Sequence, residues 1–541
     1  MRKNKAKMKF LAFLLFFVSL WFTSLAASEF PEEVLKIKNS ISGKMIVSHI
    51  DFLASRYCRG RETGDNGMEV ASKYITSILQ GAGLEPAGEY GSYFQFVRLK
   101  KVSLSEGIHL EVEETKDGVK LVLKTKLEWD FLPVLISDEQ EVAAPLVFAG
   151  YGITAPEHKY DDYKNIDVRG KIVLVMRHEP GENDPSSPFD GARLSNYGTL
   201  LSKILNAQKH GALGILFATD PLNHKDLSPS ATQGTGWPML QAERMKEDED
   251  FRFMKFSPQM RIIGDDFGVK IPAVAIDGKL ADELLEEGLS LLRIQEEIDK
   301  NLIPRSFLIP NKKISIGVFF KNEPVDAFNI AAKVEGRDSE LKDEVVIVGA
   351  HYDHTGKDNR GLVFGGADDD ASGTAGVLEL ARAFQNLKEK PKRTILFILF
   401  TAEEKGLLGS RYYVENPLFP LEKTVAMINL DMIGRNNVDQ MSLIGRFQYP
   451  KLFEIIDSTN RESVNFDLNF AVEEFIRQSD HFPFMRKDIP TVFFNSGMHE
   501  TLHRPEDTSD LIIPEKTQKA AQVVFLSLWK IANSPPKTNL R

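Results

Sequence analysis

The chain has 541 residues, too many for one core of ordinary size, so two or more domains are expected. Hydrophobic residues make up 42% and charged residues 27%, the balance of a soluble globular protein. With 67 basic against 77 acidic side chains the formal charge is -10, which argues against nucleic acid as a partner, because phosphates demand a basic face.

At the N-terminus Arg2, Lys3, Lys5, Lys7 and Lys9 precede the apolar run Phe10 to Phe22 and the small residues Ser24-Leu25-Ala26-Ala27. This is the layout of a signal peptide over residues 1–27, cleaved after Ala26 or Ala27, and it predicts export to the periplasm or the cell exterior. The run is short for a span of about 20 residues and no second long apolar segment follows, so no stable membrane insertion is expected after cleavage. Cys58 is the single cysteine, which excludes an intramolecular disulfide in spite of export.

Beyond Gly67, apolar positions 70, 71, 74, 75, 78 and 79 recur at helical spacing, and Gly81 and Gly83 end the helix. Extended segments follow, from Tyr93-Phe94-Gln95-Phe96-Val97 to Leu121-Val122-Leu123, and the texture changes around Pro145. Strands are predicted over 146–152, 171–175, 214–217 and 271–276, with a helix over 200–210 and a loop rich in Ser, Pro, Gly and Thr from Asp220 to Pro238. Residues 140–295 therefore read as a β-rich insert between 28–139 and 296–541 of a main domain. His158, His178, His210 and His224 are scattered through the insert, and no cluster of metal ligands is expected there.

From Ile314 onward strand, loop and helix alternate, with a helix predicted over 371–384, which places the main domain in the α/β class with a mixed, largely parallel central sheet flanked by helices. The chemistry collects where its apolar strands end. Val345-Val346-Ile347-Val348 runs into His351-Tyr352-Asp353-His354, and the run from Thr394 to Phe400 runs into Thr401-Ala402-Glu403-Glu404. The run Val425 to Leu430 leads to Asp431, and Thr491-Val492-Phe493-Phe494 leads towards His499 and His503. In an open α/β sheet such groups meet in one crevice beyond the carboxyl ends of the strands.

Two histidines with three or more carboxylates suit zinc, manganese or cobalt, and one bridging carboxylate would let five side chains hold two ions. The adjacent Glu403 and Glu404 fit a division of labour in which one carboxylate binds metal and its neighbour moves the proton of the attacking water. Asp353 is placed to accept the second ring N–H of His351 and fix its tautomer. A calcium-loop reading of Asp368-x-Asp370-x-Ser372-Gly373 fails, because the Gly-rich run 361–366 cannot be the preceding helix. Asp370 reads as the cap of the helix that follows.

The segments Gly349-Ala350-His351-Tyr352-Asp353-His354, Gly366-Ala367-Asp368-Asp369-Asp370-Ala371-Ser372-Gly373, Thr401-Ala402-Glu403-Glu404-Lys405-Gly406, Asn429-Leu430-Asp431-Met432 and Leu502-His503 resemble, in order, the five ligand motifs of the M28 co-catalytic zinc aminopeptidases. The insert resembles a protease-associated (PA) domain. The resemblance implies two divalent ions, zinc in first place, with Asp368 as the bridge, Glu404 and His503 on one ion, and His351 and Asp431 on the other. It makes Glu403 the general base and the Asp368–Asp369 peptide cis, with Asp369 and Asp353 supporting the ligands from behind. Leu502 stands where many relatives have tyrosine.

The expected function is a secreted exopeptidase that removes N-terminal residues from peptides through a metal-bridging hydroxide. Its expected partners are peptides or proteins with free N-termini. A carboxypeptidase of the same fold and a non-catalytic, receptor-like binding protein are the alternatives.

Overall fold

Strands that read as unbroken apolar runs, with no polar alternation, must be covered on both faces. The computed structural model describes residues 30–189, 191, 195–233, 259–358, 360–470, 475–536 and 540, and divides the chain into two compact units, 1–96 with 328–541, and 97–327. The signal-peptide segment and residues 234–238 of the predicted Ser- and Pro-rich loop lie outside the described residues. Among the described residues no helix is long and apolar enough to cross a membrane.

The first unit begins with helices α1 (Gly43–Leu53) and α2 (Asn66–Gly81). Ser42 caps α1 by accepting from the Met45 N–H, and Asp65 caps α2 by accepting from the Gly67 N–H. Ile46, Ile50 and Leu53 of α1 recur at helical spacing and are fully buried.

The sheet of this unit contains residues 328–334 of β1 (Phe320–Val334), with β2 (Val345–His351), β3 (Thr394–Phe400), β4 (Thr424–Leu430), β5 (Gln440–Ile444) and β6 (Thr491–Asn495). Their order is β1-β3-β2-β4-β6-β5. The four central strands run parallel, while β1 and β5 pair antiparallel at the flanks, as a mixed and largely parallel sheet requires.

Alternation along β2 divides the core. Val346 and Val348 pack on one face with α3 (Ala371–Gln385) and α4 (Pro514–Asn533), whereas Val345 and Ile347 meet Phe400, Tyr413 and Phe484 on the other. Helix α3 lies between the sheet, α1 and α4, so its side chains are buried nearly all round. Burial of Val377, Leu378, Leu380 and Phe384 stabilises it by about 1.5–3 kcal/mol per side chain.

At Gly373 a Cβ would stand 2.3 Å from the Leu430 carbonyl oxygen, so glycine there lets the first turn of α3 close on the end of β4. That contact brings the loop before α3 level with the carboxyl ends of β2, β3 and β4.

In the second unit eight strands form one sheet, ordered Val119–Lys124, His109–Lys116, Ser306–Gly317, Glu141–Ala149, Ile172–Met176, Gly214–Ala218, Ala273–Ile276 and Phe131–Pro133. Strands on either side of residues 140–295 belong to this sheet, which is why the unit is longer than the stretch read from composition. The texture change at Pro145 falls inside the strand Glu141–Ala149. A main-chain ladder between distant strands leaves no local compositional mark.

Candidate metal centre

His351 is the last residue of β2, Glu403 and Glu404 follow β3, and Asp431 follows β4. The loop before α3 supplies Asp369, and His503 comes from the segment after β6. Residues from these separate strand ends converge into two donor sets, His351 with Glu403 and Asp431, and His354 with Asp369, Glu404 and His503.

Asp369 joins the sets. Its Oδ1 lies 3.2 Å from His351 Nε2 and its Oδ2 lies 2.8 Å from His503 Nε2, so one carboxylate faces both histidines. Asp431 Oδ1 is 3.6 Å from His351 Nε2, and Glu404 Oε1 is 3.3 Å from His503 Nε2. His354 enters the second set with Nδ1 2.8 Å from Glu404 Oε1, a position that sequence spacing did not assign it.

Asp368, expected as the bridge, is turned away. Its Oδ1 accepts from the Gly434 N–H at 2.7 Å, and its Oδ2 is 3.4 Å from His499 Nε2. The carboxylate that faces both histidines is that of the next residue, and the cis peptide is likewise Asp369–Asp370, not Asp368–Asp369. Three consecutive aspartates of one chemistry gave no local means of choosing among them. The choice is made by main-chain contacts: Asp507 accepts from the N–H groups of Asp368 and Asp369, while Asp370 accepts from those of His351, Gly373 and Met432.

Asp353 also acts differently from expectation. His351 Nδ1 is 3.2 Å from the Asp353 main-chain carbonyl, which leaves Nε2 as the lone-pair face, whereas the Asp353 carboxylate is 3.9 Å away. That carboxylate accepts from the Glu403 N–H and the Thr63 hydroxyl. Asp431 is oriented by a relay in which Asn429 donates to Ser479 Oγ, and Ser479 donates to Asp431 Oδ2 at 2.6 Å. Ala402, Met432 and His503 all take positive φ, at 54°, 60° and 52°, backbone strain that clusters beside the donors.

The electrostatics are those of too many acids in one buried space. Burial, then Glu404, Asp480 and Asp431, push the Glu403 carboxyl well above its ordinary range. Burial also raises Asp431, and it raises Asp480 to about 7. For His351 burial lowers the pKa, but Glu403, Asp431 and Asp369 more than reverse this and hold it well above the usual value. Glu404 falls to about 2, because His503 and His354 outweigh the upward effect of burial.

Both Glu403 oxygens are buried without a hydrogen-bond partner. Buried acids left in this condition are costly unless a cation joins them, so the residues present fit divalent metal ions of mixed nitrogen and oxygen preference. His481 is not part of the set: its ring stacks on Phe493 at 4.7 Å, and burial lowers its pKa to about 3.

Arg61 was invisible to motif reasoning. Its guanidinium is fully buried and donates to the carbonyls of Leu53, Tyr352, Gly365, Gly366 and Asp369 at 2.7 to 3.5 Å. A planar fork of five N–H groups suits such a fan of carbonyls, which an ammonium could not match. The one signal for Arg61 is its place in the turn Arg59-Gly60-Arg61-Glu62, which carries no mark of burial.

Residues 329–528 match the model described as peptidase family M28, and residues 142–284 the model described as PA domain. The chain is similar to a probable zinc metalloprotease of Pyrenophora tritici-repentis, 28% identical over 259 residues that cover 39% of this chain and 58% of the relative. It is 31% identical over 207 residues to Aminopeptidase YwaD of Bacillus subtilis, covering 36% of this chain and 42% of that one. The chain thus spans about half the length of these curated relatives. A solved aminopeptidase structure from Aneurinibacillus sp. strain AM-1 aligns over 94% of this chain and 98% of its own, with a TM-score of 0.56 and 20% identity, a likeness of fold.

Replacing Arg61 by methionine removes the donors of several buried carbonyls, each worth roughly 1–3 kcal/mol when left unsatisfied. Arg61→Met is expected to cost on the order of 3 kcal/mol or more, read as a lower midpoint of denaturant unfolding; an unchanged midpoint would remove Arg61 from the account.

Proposed function

Since the chain belongs to peptidase family M28 and carries a PA domain, we propose that it is an exported metallo-aminopeptidase with two divalent ions, zinc in first place. The observation that carries this reading is the Asp369 carboxylate lying between two histidine-bearing donor sets. His351, Asp431 and Asp369 Oδ1 would hold one ion, and Glu404, His503 and Asp369 Oδ2 the other. His354, in contact with Glu404, would steady that carboxylate. Bound there, the ions supply Lewis acidity towards the scissile carbonyl and towards water.

Glu403 is the proton carrier of the reaction. Its carboxylate faces the donor sets with both oxygens free of hydrogen bonds, and its raised affinity for a proton suits a general base. It takes a proton from the attacking water as oxygen bonds to the carbonyl carbon, then delivers that proton to the leaving nitrogen as the C–N bond breaks. The Asp353 carboxylate holds the main chain at Glu403, and Asp353's carbonyl sets the His351 tautomer.

End-selectivity follows from charge. With two dications bound, Asp353, Asp369, Glu403, Glu404, Asp431 and Asp480 leave the cleft negative to the extent that they are ionised, which favours a free ammonium over a free carboxylate. This favours peptides with free N-termini over the carboxypeptidase alternative. Export rests on residues 1–27, and a mature chain beginning at Met1 by intact-mass measurement would rule out cleavage after Ala26 or Ala27.

Matched peptides with free and acetylated N-termini test the reaction by mass spectrometry. Chelator-sensitive loss of single residues from the free N-terminus alone is expected. Glu403→Gln should keep its zinc and lose turnover on the order of 10²–10⁴-fold. Loss of C-terminal residues from both peptides would replace the aminopeptidase by a carboxypeptidase, and no cleavage by the zinc-loaded protein would leave the binding-protein alternative.

A further inference from the structure

The second unit brings together histidines that look scattered in the sequence. We propose that His178, Glu182, Asp220 and His224 form a separate site for one divalent transition-metal ion, zinc in first place, within the inserted unit. The site stands on the unit's own residues and does not depend on the peptidase reading.

Its geometry begins with strand register. Ile172–Met176 and Gly214–Ala218 are adjacent and parallel, with Met176 opposite Ala218. Both chains then leave the sheet at their carboxyl ends, and the loops that follow bring His178 beside Asp220 and His224 beside Glu182. The His178 N–H and Nδ1 both reach Asp220 Oδ1, at 3.0 and 2.7 Å, and His224 Nε2 lies 2.9 Å from Glu182 Oε2. The diagonals are 3.7 Å from His178 Nδ1 to Glu182 Oε2 and 3.6 Å from His224 Nε2 to Asp220 Oδ2. One donor atom from each residue falls within 4.8 Å of all the others.

Two ordinary histidine–carboxylate ion pairs would explain the short distances but not the rest. The imidazoles stack at 4.2 Å with an interplanar angle of 20°, an arrangement that two imidazolium cations would oppose. Asp220 is fully buried, and its Oδ2 has no hydrogen-bond partner. The buried amine nearby is otherwise engaged: Lys203 Nζ donates to the carbonyls of Tyr151, Met176 and His178.

A dication resolves these conflicts together. Neutral imidazoles become ligands, the two carboxylates offset the ion's charge beside the buried Arg177 guanidinium, and the orphaned Asp220 oxygen gains a partner. Two nitrogen and two oxygen donors suit zinc and its transition-metal neighbours, whereas calcium and magnesium prefer oxygen alone. Tetrahedral donors at 2.0–2.2 Å from zinc lie roughly 3.4 Å apart, within reach of small side-chain adjustments from the distances above. The His178, Glu182 and His224 side chains remain 18%, 19% and 31% exposed, so an ion can enter from solvent.

The test uses the full-length protein, stripped with chelator, dialysed against zinc and measured for zinc per chain. The wild type should hold one ion more than His178→Ala/His224→Ala, with both proteins giving the same circular dichroism spectrum; equal zinc content would overturn the site. A zinc-edge anomalous map of zinc-soaked wild-type crystals decides the matter without any variant. A peak between His178 Nδ1 and His224 Nε2 supports the site, and density at the peptidase centre with none here refutes it.

Discussion

One carboxylate can face two histidines from opposite sides only if the chain carrying it cannot rotate. Asp369 meets that condition through its surroundings. Arg61 gathers the carbonyls of Gly365, Gly366 and Asp369 from within the protein, and Asp507 accepts the N–H groups of Asp368 and Asp369. Asp370 then ties the same loop to the N–H groups of His351 and Met432, next to two of the donors. A buried guanidinium and two buried carboxylates, each satisfied largely by main chain, set the loop on which the centre depends.

The parallel strands and the convergence of their ends were legible because both follow from simple patterns. Unbroken runs such as Thr394 to Phe400 announce a doubly covered strand, and acids and histidines placed just beyond such runs announce a crevice. Helix α3 was legible for the same reason, through its 3.6-residue period and its Asp370 cap. The register within Asp368-Asp369-Asp370 was not, because it is set by Asp507, Gly434 and Arg61, partners far away in sequence. Asp353 shows the same limit: the residue was correctly placed beside His351, yet its carbonyl, and not its carboxylate, makes the contact.

Sequence texture also underdescribed the inserted unit. Its sheet draws on strands as far apart as His109–Lys116 and Ser306–Gly317, paired edge to edge, which no window of composition can reveal. The loops that leave two adjacent parallel strands of that sheet bring His178 to Asp220 and His224 to Glu182, so histidines that seemed unrelated share one end of a sheet. In both units the chemistry lies where parallel strands finish. The candidate metal centre gathers several strand ends, and the site proposed in the insert gathers two.

The central claim is that Asp369, and not its neighbour, joins the two donor sets. Zinc content of full-length Asp369→Asn and Asp368→Asn, each dialysed against zinc and set beside wild type, tests it directly. The account predicts that Asp369→Asn loses zinc while Asp368→Asn keeps the wild-type amount, since an asparagine oxygen can still accept from the Gly434 N–H. Loss of zinc from Asp368→Asn with retention in Asp369→Asn would contradict it.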